Sequence, residues 1–280
     1  MMCLPDDGDC RAINVNKSVA NLNPYFIKTS GEGESLIVIH GWGMNSSVWE
    51  SVRLELESQF KVSWIDLPGH GHNKGITAQS MDEIVDLILP HITDGAHLLG
   101  WSLGGLVAQA LAEKTLVEKK KQSFKSITLV ASTPRFSQAE NWENAMSLNI
   151  LDNFSMSLKK DLEGTLKRFI SLQFMGIKES KRLQRDLTNG IQSALPNTSA
   201  LELGLQLLAQ SDYRFSANKT PQHWILAEKD RLIPLPVIND LKLLRPDDQI
   251  SILKNSGHAP FMTHPKEFME AFSTFVNQYA

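Results

Sequence analysis

Short runs of apolar and β-branched residues recur along the chain, most of them closed by turn residues and followed by a stretch with helical spacing. The first, 35–40 (SLIVIH), stops at Gly41, and the second, 60–67 (FKVSWIDL), stops at Pro68 and Gly69. AHLLG at 96–100, SITLVAS at 126–132, PQHWILA at 221–227 and the short run 249–253 follow. Such continuous runs predict strands buried on both faces. Between them, 47–58, 80–91 and 103–120 read as helices, and 265–279 as a closing amphipathic helix. Ser80 and Glu83 have capping-box spacing at the start of the 80–91 helix. Strand alternating with helix predicts a mostly parallel central sheet flanked by helices.

After Pro134 the pattern changes. Residues 136–212 carry helical periods and no strong strand, which predicts a helical cap inserted over the sheet. Residues 1–22 are polar, rich in Asn and Asp, and without period, so a loose tail is expected there, with the ordered body starting near Tyr25. The expected division is a core of 23–135 and 213–280 around a cap of 136–212.

The chain has 280 residues, 42% of them hydrophobic, enough for one large core. A formal net charge of −3 offers no bulk attraction to nucleic acid or to an anionic membrane. Cys3 and Cys10 are the only cysteines and form no metal-ligand pattern, which fits a reducing compartment. Asp6, Asp7 and Asp9 stand where a secretory signal has basic residues, and no run of ~18 apolar residues suggests a membrane span. The expectation is a cytoplasmic monomer with no metal, cofactor, nucleic-acid or membrane partner.

Candidate chemistry centres on Gly100-Trp101-Ser102-Leu103-Gly104. This G-x-S-x-G sequence follows a predicted strand and precedes a predicted helix, the setting in which serine is presented on a sharp turn as a nucleophile. His40-Gly41-Trp42-Gly43 follows the first strand. In such folds that loop supplies one backbone N–H of an oxyanion hole and the residue after the nucleophile supplies the other, here Trp42 and Leu103. The base and acid must follow in the order Ser, acid, His. Of His223, His258 and His264, only His258 lies in a loop between the last strand and the final helix; His223 sits in a strand, and His264 is placed to cap the helix start. The acid belongs on the loop after 221–227, where Asp230 is favoured over Glu228, which lies closer to the strand. The Asp66–Gly71 turn reads as structural, and His70 and His72 lack the carboxylate spacing of a metal site.

The cap is charged against the rest of the chain. Residues 156–190 hold eight Lys or Arg against four acids, a net +4, which leaves −7 elsewhere. Lys178, Lys181, Arg182 and Arg185 have the spacing of one helix face. A solvated face is the plainer reading; an acidic partner or anionic substrate handle is the sharper one. Phe169 to Met175 (FISLQFM) reads either as helix core or as the wall of an acyl channel.

HGWG at 40–43, WIDLPGHG at 64–71, GWSLGGLVA at 100–108, VASTPRFS at 130–137, RFISLQFMG at 168–176 and GHAPFMTHPKEF at 257–268 together carry a resemblance. From about Pro24 to the C-terminus the chain resembles the pimeloyl-[acyl-carrier protein] methyl ester esterases of biotin synthesis, within the α/β-hydrolases. The resemblance implies an α/β-hydrolase fold and hydrolysis of a pimeloyl methyl ester carried on acyl carrier protein. It implies Ser102, Asp230 and His258 as a triad and Trp42 and Leu103 at the oxyanion site. It further implies Phe169, Ile170, Ser171, Leu172 and Gln173 on the substrate path, and Arg168, Lys181 and Arg185 as carrier-docking cations. The chain departs from the family pattern at Gly164 and Lys181, where arginine can stand; Lys keeps the charge but not the bidentate fork. Two other readings stay open on sequence: a C–C hydrolase or lyase using the same three residues, and a ligand-binding receptor without turnover.

Overall fold

The computed structural model describes residues 25–117, 123–178 and 180–280. The tail expected at 1–22, and the end of the helix expected at 103–120, lie outside the described residues.

Seven strands form one sheet in the order β1-β3-β2-β4-β5-β6-β7. They are β1 Ile27–Ser30, β2 Glu34–Ile39, β3 Phe60–Ile65, β4 Ala96–Trp101, β5 Phe124–Val130, β6 Gln222–Ala227 and β7 Gln249–Leu253. Every pairing is parallel except β1 with β3. The apolar runs of β2, β4, β5 and β6 occupy the middle, where helices cover both faces and no polar alternation is needed. β1 is an addition to the expected strands. IKTS has no apolar run, and two of its residues are exposed; the strand forms because pairing with β3 satisfies its backbone at the sheet edge. Tyr25 anchors its start by donating from its hydroxyl to the Asp66 carbonyl at 2.7 Å.

The helices of the first half are α1 Arg53–Gln59, preceded by a 3₁₀ turn at Ser46–Ser51, then α2 Met81–Ile88 and α3 Leu103–Val117. Ser80 caps α2, its hydroxyl accepting from Glu83 N at 3.2 Å, while the Glu83 carboxylate reaches back to Gln79 N. Between β5 and β6 come α4 Leu148–Lys160, α5 Leu162–Gln173, α6 Lys181–Ser193 and α7 Thr198–Gln210. The chain closes with α8 Val237–Leu244, α9 Pro260–Thr263 and α10 Pro265–Val276. His264 occupies the N-cap position of α10, but its ring makes no capping bond; Nδ1 meets the Thr263 hydroxyl instead. The helical face expected through Lys178 is interrupted. Gly176 takes a left-handed φ of 78°, the chain turns, and α6 starts only at Lys181.

All six tryptophans are buried. Trp49 stacks on Phe261 at 4.1 Å, and Trp101 meets Phe261 edge-on at 5.2 Å. This aromatic block wedges the loop before α9 against the β4–α3 junction. Offset and edge-on packing of this kind adds about 0.5–1.5 kcal/mol per pair beyond area burial.

Two histidines in this framework are held neutral. Burial pushes His70 down to about 3 and His223 down to about 4. An unfolded histidine titrates near 6.5. Between that value and about 4 the unfolded chain therefore binds protons that the folded chain refuses, so stability rises with pH through this window and falls on acidification. Melting temperature is expected to drop by several degrees between pH 7 and pH 4.5. His223→Gln, which keeps a group near the Ser251 hydroxyl now bonded by Nε2 at 2.8 Å, is expected to flatten that slope. Differential scanning calorimetry across the range measures it; identical slopes would remove His223 from the account.

Candidate active site

β4 ends at Trp101 and leads directly into Ser102, and α3 begins at the next residue. Ser102 sits at φ 55°, a conformation that costs a non-glycine residue about 1–3 kcal/mol. Two ties hold it there: Ser102 N–H donates to the Val130 carbonyl at 2.9 Å, and the Ser132 hydroxyl donates to the Ser102 carbonyl at 3.0 Å. The turn is tight enough that a Cβ on Gly100 would lie 2.4 Å from the Gly104 carbonyl oxygen, and one on Gly104 2.4 Å from that of Ile39. The glycines of G-x-S-x-G are thus demanded by backbone crossing backbone.

His258 Nε2 lies 2.9 Å from Ser102 Oγ, and His258 Nδ1 lies 2.8 Å from Asp230 Oδ2. The other Asp230 oxygen accepts from the backbone N–H groups of Leu232 at 2.7 Å and Ile233 at 3.0 Å. Both oxygens are therefore satisfied although the side chain is fully buried. Glu228 faces away and accepts from Asn255 N. The His258 loop is fixed from two sides. Trp101 Nε1–H donates to the His258 carbonyl at 2.7 Å, and His258 N–H donates to the Gln173 carbonyl at the end of α5 at 3.2 Å. Gly257 is required there, since a Cβ would sit 2.4 Å from that same Gln173 oxygen. His223 and His264 pair elsewhere, with Ser251 and Thr263.

The loop after β2 passes over the serine: a Cβ on Gly41 would lie 3.2 Å from Ser102 Cβ. Among the described residues, neither Trp42 N–H nor Leu103 N–H donates to a protein acceptor. The two backbone donors are therefore free for a ligand oxygen. The Trp42 indole is buried, donating from Nε1 to the Leu201 carbonyl of α7 at 2.8 Å. Gly204 makes room for it, because a Cβ there would stand 2.5 Å from Trp42 Cδ1.

Helices α4–α7 complete the enclosure. Phe169 packs edge-on to Trp42 at 4.8 Å and to His258 at 6.5 Å. Phe154, which no motif or spacing in the sequence singles out, meets Trp42 at 6.3 Å and Phe169 at 5.7 Å. Ser102 is left only 3% exposed. Ile170 is buried, and Gln173 is fully buried with no partner for either end of its side-chain amide. Ser171 and Leu172 are half-buried and line a groove of about 510 Å³ between α4 and α5 together with Phe154, Lys167 and Arg168. Arg168, Lys181 and Arg185 are exposed on the outer surface. Arg182 is also exposed and pairs with Asp186 at 3.6 Å. Among the described residues no His, Cys, Asp and Glu cluster could hold a metal, and no helix is long and apolar enough to cross a membrane.

His72 and His70 belong to the framework. Asp66, buried at the end of β3, accepts from Ser46 N at 2.6 Å, His72 N at 2.9 Å and His72 Nδ1 at 2.8 Å. Burial tends to raise its pKa, but the neighbouring His40 ring and the hydrogen bonds from His72 and Ser46 outweigh that and hold it below the usual value.

A doubly wound sheet with serine, histidine and aspartate converging at its strand ends defines the alpha/beta hydrolase class. The chain belongs to the alpha/beta hydrolase family, whose profile matches residues 36–271. Within that family it is similar to proteins named pimeloyl-[acyl-carrier protein] methyl ester esterase. That of Photobacterium profundum is 36% identical over 252 residues, 89% of this chain and 97% of the relative. That of Aliivibrio fischeri is 35% identical over 260 residues, 92% and 99% of the two chains. Solved structures show the same fold: an esterase from Exiguobacterium antarcticum has a TM-score of 0.77 at 18% identity, covering 90% of this chain and 95% of the other. A bromoperoxidase from Bacillus anthracis has a TM-score of 0.76 at 19% identity, covering 90% and 94%.

Asp230 Oδ2 accepts the Nδ1 proton and so leaves Nε2 free to accept from Ser102. An asparagine there can present its amide N–H to Nδ1 and invert the tautomer. Asp230→Asn is therefore expected to keep the melting temperature within a few degrees and to lower kcat on a p-nitrophenyl ester by about 10⁴. Stopped assays beside a thermal melt check this; a variant with more than a tenth of wild-type turnover would exclude Asp230 as the orienting acid.

Proposed function

We propose that this chain is a serine carboxylesterase that hydrolyses the methyl ester of a pimeloyl group borne by acyl carrier protein, releasing the pimeloyl carboxylate for biotin synthesis. One observation carries the reading: a serine–histidine–aspartate relay at hydrogen-bonding distance, in a chain whose relatives bear that activity in their name.

Ser102 Oγ attacks the ester carbonyl while His258 Nε2 takes its proton, and Asp230 holds the resulting imidazolium. The tetrahedral oxyanion lies between Trp42 N–H and Leu103 N–H, each such donor contributing about 3 kcal/mol in the transition state. His258 returns the proton to the methoxy group, methanol leaves, and an acyl-Ser102 ester remains. Water then attacks that ester with His258 as base, and the carboxylate departs with Ser102 restored.

Residues 136–212 act as the cap that shapes the acyl site. Phe169 and Ile170 contribute apolar wall. The unpartnered amide of buried Gln173 offers a hydrogen-bonding group to an oxygen-bearing acyl chain, since leaving it unmet costs about 1–3 kcal/mol. Ser171 and Leu172 continue the path outward along the α4–α5 groove. Arg168, Lys181 and Arg185 receive the acidic carrier.

Mass spectrometry of a carrier-bound pimeloyl methyl ester after incubation tests the reaction; an unchanged mass with active enzyme on small esters would exclude this substrate. The cap cations act by steering and orientation, which salt screens over a Debye length of ~8–10 Å. Arg168→Ala, Lys181→Ala and Arg185→Ala combined are expected to lower kcat/KM for the carrier-bound ester roughly tenfold or more. The same triple variant is expected to leave a p-nitrophenyl ester unaffected, and added salt is expected to slow wild type more than the variant. Equal losses on both substrates would mean that the cations support cap structure instead.

A further inference from the structure

His40 stands at the end of β2, fully buried, with its ring 5.2 Å from that of His70. Two backbone groups bracket it. Leu67 N lies 3.0 Å from Nε2, and the Gly41 carbonyl oxygen lies 2.8 Å from Nδ1. A backbone N–H only donates and a carbonyl only accepts. Nε2 must therefore carry the lone pair and Nδ1 the proton, which fixes the tautomer. Burial outweighs the nearby Asp66 and holds the ring's pKa below its usual value, consistent with the neutral form.

The Gly41 carbonyl shares one planar peptide with Trp42 N–H. The described chain has no cis peptide bond, so the two groups point in opposite directions. Whatever holds the carbonyl aims the N–H. A second donor, Met44 N at 3.3 Å, closes a turn whose third residue, Gly43, has φ 72°. The His40 bond is the shorter of the two. Gly41 itself is tightly enclosed, with the Trp101 ring 3.0 Å from its would-be Cβ and Ser102 Cβ 3.2 Å away.

From this geometry we infer that His40 is a positioning residue for ester hydrolysis: its Nδ1–H holds the Gly41–Trp42 peptide so that Trp42 N–H is aimed at the oxyanion formed on attack by Ser102. The inference rests on the hydrolase reading above and adds a residue outside the relay. His40 touches neither substrate nor Ser102 Oγ in this role. Its effect belongs to the transition state, because the ground-state carbonyl leans less on that donor.

The two nitrogens can be separated by substitution. An asparagine amide reaches the Nδ1 position and can still donate to Gly41 O. A glutamine amide reaches the Nε2 position and can accept from Leu67 N but leaves Gly41 O without its shorter bond. On a p-nitrophenyl ester, His40→Gln is expected to lower kcat by tenfold or more with KM within twofold, and His40→Asn to recover most of the loss. Melting temperatures of both are measured alongside. Equal losses in the two variants, or a glutamine variant within threefold of wild-type kcat, would overturn the inference.

Wild-type protein gives a second reading that survives a folding failure of either variant. Long-range 1H–15N spectra of histidine-labelled protein are expected to show His40 as the Nδ1–H tautomer. The Nδ1 proton is expected to move downfield when phenylboronic acid forms a tetrahedral adduct on Ser102, because a polarised peptide strengthens the bond at its other end. An Nε2–H tautomer, or a proton that does not move, would overturn the inference alone. A wild type that neither turns over esters nor is labelled at Ser102 by a phosphonate would overturn the hydrolase reading and this inference with it.

Discussion

The chain reverses from β4 into α3 at Ser102 with φ 55°, and most of the molecule's small-residue placement follows from that reversal. A strand and a helix that meet at one residue must cross at backbone contact distance. Gly100 and Gly104 lie against each other and against β2, and a Cβ on Gly105 would lie 2.3 Å from the Ser132 hydroxyl. The conformation is unfavourable locally and persists because the end of β5 and the loop after it bind both the N–H and the carbonyl of Ser102, through Val130 and Ser132. Trp101, the residue before the bend, then points into the aromatic block with Trp49 and Phe261 and ties the His258 loop to the same point.

The inserted helices are part of the site's framework. α5 ends with its Gln173 carbonyl on His258 N–H, and α7 offers the Leu201 carbonyl to the Trp42 indole. A third joint lies further out, where Asn197 N donates to Gly69 O at 2.9 Å and a Cβ on Gly69 would stand 2.3 Å from that of Ala200. Two of these joints fall on His258 and Trp42, which lie beside Ser102. Movement of the helices would therefore reach His258 and the loop after β2 directly, while Phe154 lines the outer groove and packs on Phe169, whose ring meets His258.

Beneath the loop after β2 lies a set of polar groups that the sheet buries and therefore must satisfy. Asp66 takes three donors from the two loops on either side of it. A Cβ on Gly71 would lie 2.2 Å from Asp66 Oδ2, so the carboxylate leaves no room for a side chain there. His40 spans the same region, joining the end of β3 to the turn after β2. Buried polar networks of this kind lose a full desolvation penalty when one member is removed, which is why the loop has few ways to rearrange.

Features that depend on neighbours along the chain are legible before any fold is known. The central strands can be read in SLIVIH, AHLLG and SITLVAS because burial on both faces writes itself as an unbroken apolar run. The elbow is legible because its glycines are demanded within five residues, and Ser102, Asp230 and His258 follow the chain order that this topology imposes. β1 is not legible: IKTS has no apolar period, and its pairing with residues 62–65 depends on a partner more than thirty positions away. Lys178 leaves the expected helix face because Gly176 turns the chain before α6 begins. The placement of Phe154 against Trp42, the unmet amide of Gln173 and the two bonds of His40 arise from packing alone. Each is a relation between segments whose spacing carries no periodic signal, and only the assembly of strands, loops and the helices between β5 and β6 brings the partners within reach.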